Sequence, residues 1–359
     1  MKNHWKNASI PAIDKKVGRD AQTYIHSLTK PVGSLGRLED LAVSLASMTK
    51  ERFPTVFPPG VLIFAADHGI VSEGVSAYPQ EVTGQMVRNF LNGGAAINVF
   101  SKQIGAKLNI VDIGIAAEIN SQTLISRKVR YGTANFLLGD AMIREEAEQA
   151  IDAGYQTANE MINNGIKCLI PGEMGIGNTT ASSAVVAAVS GEEVDTLVGT
   201  GTGIEKEKLQ IKKDVIEKAL ALRKPNGDDP VDVLSKVGGL EIAGMAGAML
   251  AASSRSIPIL VDGFIASTAA LIAKMICSAS ADYMILGHRS AEPGHMKVIK
   301  LLGKEPILDL GMRLGEGSGA AIAFPVLQSA SLMINEMATF EAAQISAKKQ
   351  EGETRLVYK

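Results

Sequence analysis

The chain has 359 residues, a formal net charge of −2 and 46% hydrophobic residues, of which few are aromatic. This length suffices for one large domain or two, and the composition is typical of a globular enzyme with an aliphatic core. A charge so near neutral gives no reason to expect nucleic acid or an anionic membrane as a partner.

We expect neither a secretory signal nor a membrane-spanning segment in this sequence. The first residues, MKNHWKN, contain no apolar signal core, and the most apolar window, residues 257–276, is interrupted by Asp262 and Lys274. Cys168 and Cys277 lie in apolar runs, which favours buried free thiols in a reducing compartment over a disulfide or a metal site. We therefore expect a cytoplasmic protein.

Helices are predicted at both ends of the chain. Apolar residues recur at helical spacing within residues 17–52, where Pro31 and Gly33 separate two helices. Prolines at positions 54, 58 and 59 end this segment and place a boundary near residue 55. A helix predicted over residues 326–348 is expected to dock against the N-terminal helices.

Short apolar strands alternate with Ala-rich helices in the central part of the chain. Each strand precedes a loop rich in Gly, Asp, His or Glu, and the seven predicted strands are residues 61–65, 108–111, 168–170, 196–198, 257–261, 283–286 and 307–308. This alternation predicts an α/β fold with a parallel sheet covered on both faces. Because ligands of such sheets bind at the carboxyl ends of the strands, the polar loops are expected to converge on one site.

A glycine-rich turn, residues 171–177, separates a predicted strand from a helix of small residues. Such a turn is suited to phosphate, because glycines let the backbone approach the anion and the N–H groups of the first helical turn point at it. The spacing of Gly172 and Gly177 mimics a Walker A loop, but Asn178 stands where the lysine would be, which favours a nucleoside monophosphate or a ribose phosphate. Glu173 would repel phosphate, so it is expected to face a ribose hydroxyl or a developing cation.

A second glycine-rich turn, residues 199–203, follows the strand predicted at 196–198. A single Gly-x-Gly-x-Gly is a weak signal that a tight turn also explains. Two such turns in successive strand–helix units can clamp one phosphate from two sides. The charged run at 205–213 is expected to be a solvated helix face, from which one lysine could reach the turn.

Glu316 lies between glycines within residues 311–319, ahead of an apolar helix. A carboxylate held on a short loop at a strand end is a candidate general base. A helix N-cap or a partner of the helix dipole near Ser318 is the competing explanation, and the sequence favours neither.

Two other kinds of protein fit parts of the sequence. A metal-dependent phosphohydrolase could use Asp67, His68, Asp262 and His288, although none of them has a dense ligand spacing, and hydrogen bonds at strand ends explain them more simply. A nucleotide-binding protein without chemistry would need the glycine-rich turns but not an isolated carboxylate such as Glu316.

The order and content of these motifs resemble one family, the nicotinate-nucleotide–dimethylbenzimidazole phosphoribosyltransferases of cobalamin synthesis. The similarity extends from about residue 20 to residue 345, and the segments that carry it are residues 30–39, 66–70, 73–80, 172–180, 199–203, 287–295 and 311–319.

The resemblance implies a reaction and an architecture. Nicotinate mononucleotide would give its phosphoribosyl group to 5,6-dimethylbenzimidazole, with inversion at the anomeric carbon, to yield α-ribazole 5′-phosphate and nicotinate. The fold would be a doubly wound, Rossmann-like, mostly parallel sheet in a large domain, residues 56–325, with a small helical domain built from residues 1–55 and 326–359. A homodimer without metal or other cofactor is expected.

The resemblance also assigns roles to individual residues. Glu316 would be the general base, and Glu173 would lie near the ribose. Lys212 would supply the cation that the Walker-like turn lacks, although adjacent Lys213 leaves that register open. The residues expected to bind substrate are Gly175, Gly177, Gly201, Thr202, Gly203, Lys212, Asp262, Ser290, Tyr78, Met86, Leu314 and Gly315.

Overall fold

A single parallel sheet organises the computed structural model, which describes residues 3–201 and 203–346. Within these residues the sheet has six strands, β1 (Pro59–Ala66), β2 (Lys107–Gly114), β3 (Leu124–Ser126), β4 (Cys168–Met174), β5 (Ile259–Val261) and β6 (Met284–Leu286). Their spatial order is β3-β2-β1-β4-β5-β6, and every neighbouring pair is parallel. This is the doubly wound order with its reversal between β1 and β4, so the predicted fold class is confirmed.

Helices connect the strands and cover the sheet. The α-helices of the described residues are α1 (Lys15–Ser27), α2 (Arg37–Thr49), α3 (Val82–Leu91), α4 (Ala96–Gln103), α5 (Arg144–Asn163), α6 (Asn178–Ser190), α7 (Val194–Leu197), α8 (Lys206–Arg223), α9 (Pro230–Val237), α10 (Leu240–Ser254), α11 (Phe264–Ile276), α12 (Pro293–Leu302) and α13 (Ser318–Glu336). None of them is long and apolar enough to cross a membrane.

The two faces of the sheet are buried by different helices. Phe64 of β1 lies against Gly244 of α10, which packs on β1, β2 and β4. Neighbouring strand residues point to opposite faces. On the other face, α4 and α13 contact each other, and Ile97 of α4 and Ile170 of β4 both lie beside Gly317. Because β1 is buried on both faces, all eight of its residues are buried and its sequence is a continuous apolar run.

The two ends of the chain pack together. Helix α2 contacts both α1 and α13. Leu28 forms an antiparallel bridge with Thr339, and the Phe340 N–H donates to the Ser27 carbonyl at 2.9 Å. This packing accords with the small helical domain, while the division at residues 55 and 325 stays a prediction.

Three predicted elements differ from the observed ones. Residues 196–198 are not a strand, because Val194–Leu197 forms the short helix α7. Residues 307–308 form only an isolated bridge, between Leu308 and His288. The C-terminal helix begins at Ser318 rather than at residue 326, contains Pro325, and ends at Glu336. The strand β3 was not predicted, since it is three residues long and half-exposed.

Candidate active site

A cavity of about 370 Å³ opens at the carboxyl ends of β4, β5 and β6. Its walls come from the loops after these strands, from α3 and from the loop ahead of α13. The predicted site residues that line it are Glu173, Glu316, Gly175, Gly201, Asp262, Ser290, Tyr78, Met86, Leu314 and Gly315. The polar loops after β4, β5 and β6 thus converge at one site, as expected for a doubly wound sheet. The loops directly after β1 and β2 do not, since Asp67 and Ala116 line a separate cavity.

A smaller cavity of about 20 Å³ adjoins the first and shares Gly175 and Gly201 with it. Gly177 and Lys212 line this smaller cavity. Gly203 lines neither cavity and is exposed, with a φ of 105° that shapes the turn after Gly201. Thr202 lies outside the described residues.

The turn between β4 and α6 is shorter than the sequence suggested. Strand β4 continues to Met174, so Gly172 and Glu173 belong to the strand and only Gly175–Gly177 make the turn. Gly172 serves a different purpose, since a Cβ there would lie 2.8 Å from the backbone of Glu316 and Gly317. The lack of a side chain lets the loop that carries Glu316 approach the strand.

The two glycine-rich turns face each other across Lys212. Gly177 adopts a φ of 97° and is the N-cap of α6, so the first N–H groups of that helix lie at the turn. Gly201 adopts a φ of 55°, and a Cβ there would lie 2.8 Å from Thr179 Oγ1 and 3.5 Å from Lys212 Nζ. The arrangement combines a helix N-terminus with a cation, as an anion site requires.

Lys212, rather than Lys213, reaches this site. Its side chain is almost fully buried, and Nζ donates to Thr179 Oγ1 at 2.9 Å and to the Gly199 carbonyl at 3.2 Å. Burial lowers the pKa of Lys212 to about 8. Lys213 points elsewhere and pairs with Asp195 at 2.7 Å.

Glu316 is held in an uncommon backbone conformation. Its φ is 62°, and the flanking Gly315 and Gly317 also have positive φ. A left-handed conformation costs a non-glycine residue about 1 kcal/mol, which the surrounding packing must offset. The side chain is buried, and Oε2 has no hydrogen-bond partner among the described residues. Gly317 is the N-cap of α13, so the N-cap explanation for Glu316 is wrong.

Glu173 and Glu316 are neighbouring buried carboxyls. Oε1 of Glu173 accepts the Glu316 backbone N–H at 3.3 Å, and its Oε2 accepts the Asn178 side-chain amide. Burial, with smaller contributions from Glu241, Asp262 and Glu316, raises the pKa of Glu173 to about 8. Burial and Asp262 raise the pKa of Glu316 to about 7. A site built in this way favours a bound cation, because a positive charge relieves the repulsion among the carboxylates.

The raised pKa of Glu173 predicts a pH-dependent gain in stability for Glu173→Gln. The folded state holds this carboxyl protonated, so its contribution to stability is full below the unfolded pKa near 4.5 and is lost as the pH rises through about 8. Glutamine does not ionise, so Glu173→Gln avoids this loss. One pKa unit corresponds to about 1.4 kcal/mol, so the free energy of unfolding of the variant, relative to that of the wild type, should be a few kcal/mol higher at pH 9 than at pH 4.5. Urea unfolding at both pH values measures this difference. Glu305→Gln, at a side chain that is 81% exposed, is the matched control and should show no such gain.

The four residues considered for a metal site do not come together. His68 Nε2 lies 2.7 Å from Glu241 in a fully buried pair, whereas Asp67 accepts the Ala116 N–H at 2.8 Å. Asp262 accepts the Ala320 N–H at 2.8 Å and lies 3.3 Å from His288 Nε2. Nowhere in residues 3–201 and 203–346 do three His, Cys, Asp or Glu side chains form a metal-binding group.

Sequence reasoning missed several residues of the cavity wall. Thr179 belongs to both cavities and binds Lys212, and Asn178 binds Glu173. Glu292 and Arg313 also line the larger cavity, and Arg313 Nη1 donates to the Gly201 carbonyl at 2.8 Å. Each of these residues is near a motif glycine in the sequence, which is the signal that could have identified it.

Known proteins share this architecture and sequence. The sequence model of a phosphoribosyltransferase family matches residues 10–345. A relative from Chloroflexus aggregans, named nicotinate-nucleotide–dimethylbenzimidazole phosphoribosyltransferase, is 51% identical over 342 residues, which cover 95% of this chain and 97% of the relative. A relative of the same name from Halalkalibacterium halodurans is 51% identical over 94% of this chain and 95% of its own length.

A solved structure agrees with these relatives. The crystal structure of the enzyme of this name from Thermus thermophilus matches with a TM-score of 0.89 at 42% identity, and the match covers 94% of this chain and 100% of that one. The chain belongs to the nicotinate-nucleotide–dimethylbenzimidazole phosphoribosyltransferase family. The resemblance noted in the motifs is thereby confirmed, and the protein is a phosphoribosyltransferase rather than a phosphohydrolase or a binding protein without chemistry.

Proposed function

We propose that this enzyme transfers the phosphoribosyl group of nicotinate mononucleotide to 5,6-dimethylbenzimidazole, with inversion at the anomeric carbon, in the assembly of the cobalamin nucleotide loop. The observation that carries the proposal is the buried carboxyl of Glu316, whose Oε2 lacks a hydrogen-bond partner among the described residues and which lines the same cavity as the phosphate-binding turns. A buried carboxyl with an unpaired oxygen is suited to act as a general base that accepts a proton from the substrate.

The donor phosphate belongs between the two glycine-rich turns. Gly175 and Gly201 lie where the two cavities meet, and Lys212 is the cation on the far side. The ribose then extends into the larger cavity toward Glu173 and Asp262, whose carboxylates suit hydroxyl groups and a cationic sugar. Ser290 lines the larger cavity as well, and its hydroxyl is available to the ribose phosphate group.

The leaving group needs no general acid. Nicotinate mononucleotide carries a pyridinium, and when the bond between C1′ and the ring nitrogen breaks, the electron pair stays on that nitrogen and no proton is required. Positive charge develops on the ribose as the bond breaks. The carboxyls of Glu173, Asp262 and Glu316 line the cavity in which that charge forms.

The acceptor fits the apolar part of the cavity. Tyr78, Val82, Met86, Phe264 and Leu314 line that part, and together they suit a flat aromatic base. The lone pair of one benzimidazole nitrogen forms the new bond to C1′ from the face opposite to the pyridine, which inverts the β-linked donor to an α-linked product. The proton on the other nitrogen passes to Glu316, so that neutral α-linked base, nicotinate and a protonated carboxyl result.

The proposal extends to the state of the protein in the cell. We infer a cytoplasmic homodimer that needs no cofactor and has no nucleic-acid partner, with a large domain over residues 56–325 and a small helical domain from the two chain ends. The family similarity supports the assembly, and the near-neutral charge of −2 supports the lack of a polyanionic partner.

Product analysis tests the proposed reaction. Nicotinate mononucleotide and dimethylbenzimidazole are incubated with the enzyme, with and without chelator, and the products are separated by chromatography. We expect equimolar nicotinate and α-ribazole 5′-phosphate, unaffected by chelator. A β-linked product would contradict inversion, and nicotinate release without dimethylbenzimidazole would indicate a hydrolase instead of a transferase.

A further inference from the structure

The charges that line the larger cavity are unevenly distributed. Four carboxyl side chains line it, those of Glu173, Asp262, Glu292 and Glu316. Among the described residues of its wall, Arg313 is the single arginine and there is no lysine, since Lys212 lines the smaller cavity. His288 also lines the cavity, but its Nε2 lies 3.3 Å from Asp262, so Arg313 is the one cationic side chain of this wall that no carboxylate of the described residues pairs with. An anionic group of a ligand in the larger cavity is therefore expected to pair with Arg313.

Arg313 is well placed to bind such a group. It belongs to the loop that carries Glu316, and its Nη1 donates to the Gly201 carbonyl at 2.8 Å, which fixes the guanidinium beside the cavity. This is the one hydrogen bond that its guanidinium makes within the described residues. A guanidinium has five N–H donors in a planar fork, so donors suited to a carboxylate remain after this contact.

The proposed donor has two anionic groups and only one of them is a phosphate. If the phosphate lies against Lys212, the carboxylate on the pyridinium ring of nicotinate mononucleotide must lie in the larger cavity. We propose that Arg313 binds this carboxylate and thereby selects nicotinate mononucleotide over nicotinamide mononucleotide, an inference that rests on the proposed function. The amide analogue has nearly the same shape and gains no charge pairing with the guanidinium.

The test compares the two donors in the wild type and in Arg313→Gln. Steady-state kinetics give kcat/KM for nicotinate mononucleotide and for nicotinamide mononucleotide, and isothermal calorimetry gives the Kd of each. Arg313→Gln should lower kcat/KM for nicotinate mononucleotide by roughly tenfold to a hundredfold, the worth of a hydrogen bond to a charged group. With nicotinamide mononucleotide the loss in kcat/KM should be less than about threefold. The ratio of kcat/KM for nicotinate mononucleotide to that for nicotinamide mononucleotide should therefore fall.

Control variants separate this role from others. Arg289→Gln changes an exposed arginine that pairs with Asp309 outside the cavity, and it should keep the donor ratio of the wild type. Arg313→Lys keeps a positive charge and should retain part of the preference. An equal loss for both donors in Arg313→Gln would place the guanidinium on the phosphate or in a structural role, and would overturn the inference. So would a wild-type enzyme without preference for nicotinate mononucleotide.

The binding measurements keep this inference distinct from the proposed function. An enzyme that binds nicotinate mononucleotide in preference to the amide, but transfers nothing to dimethylbenzimidazole, would contradict the proposed function alone. Loss of that binding preference in Arg313→Gln would still support the role of Arg313. Transfer activity with an unchanged binding preference in Arg313→Gln would support the proposed function and reject the role of Arg313.

Discussion

Replacing Glu316 with glutamine should lower kcat by roughly 10²- to 10⁴-fold, the usual worth of a general base. Glutamine has nearly the same shape and cannot accept the proton that the benzimidazole must lose. The affinity for nicotinate mononucleotide should stay within a few-fold of wild type, because the proposed phosphate contacts are Gly175, Gly201 and Lys212. Single-turnover rates and equilibrium binding measure the two quantities separately.

The pH dependence of the wild type gives a second readout for Glu316. Its pKa is raised to about 7 by burial and by Asp262, and only the ionised form can accept a proton. The kcat/KM should therefore fall about tenfold for each pH unit below 7, and this acid limb should be missing from the residual activity of Glu316→Gln. Glu305→Gln, at a side chain that is 81% exposed, should keep both the rate and the acid limb. Full turnover in Glu316→Gln would remove this residue from the mechanism.

The charge of the donor links binding to the activation of this base. The free site holds Glu173 and Glu316 with pKa values of about 8 and 7, because burial raises both pKa values and Asp262 adds to each. A pyridinium entering the cavity supplies a positive charge, which favours ionisation of both. In the proposed reaction this charge passes to the benzimidazole when nicotinate leaves, and the benzimidazole proton then moves to Glu316. In this proposal the positive charge of the donor favours ionisation of Glu316, and Glu316 then neutralises the charge by accepting the benzimidazole proton.

The fold could be predicted where a sequence pattern is compatible with only one kind of secondary structure. Strand β1 is buried on both faces, so its apolar run is continuous and was recognised. The strand predicted at residues 196–198 is wrong, because three apolar or small residues are compatible with a short helix as well as with a strand. In the folded protein, tertiary packing favours the helix α7. Strand β3 gave no signal, since an edge strand of three half-exposed residues shows neither an apolar run nor a clear alternation.

The sequence predicts the local motifs of the site but not the contacts between residues that are distant in the sequence. Glycines mark three places of the site in the sequence for two reasons. A close backbone approach favours glycine at Gly175, and a positive φ favours it at Gly201 and on both sides of Glu316. The sequence contains no comparable signal for a side chain that reaches across the cavity. Arg313 reaches Gly201 over 112 positions of sequence, and only the fold brings the two together. The choice between Lys212 and Lys213 has the same origin, since adjacent helix residues point about 100° apart and the helix must be docked first.

Replacing Lys212 with methionine should lower kcat/KM for nicotinate mononucleotide by roughly 10²- to 10⁴-fold, mainly through KM. Removal of one partner of a buried charge pair costs about 3 to 5 kcal/mol, because the phosphate would remain in the site without its cation. Methionine fills much of the volume of the buried lysine stem, so the packing around Thr179 and Gly199 should persist. Initial rates over a range of donor concentrations separate KM from kcat.

Lys213→Met is the matched control, since the two lysines are adjacent and Lys213 instead pairs with Asp195 on the outside. It should keep the KM of the wild type. The pKa of Lys212 is lowered to about 8 by burial, so the ammonium form that is proposed to bind phosphate is lost above that pH. The wild-type kcat/KM should therefore decline above pH 8 as well as below pH 7, and Lys212→Met should lack the alkaline limb. An unchanged KM in Lys212→Met, or an equal loss in Lys213→Met, would show that the phosphate does not lie between the two glycine-rich turns.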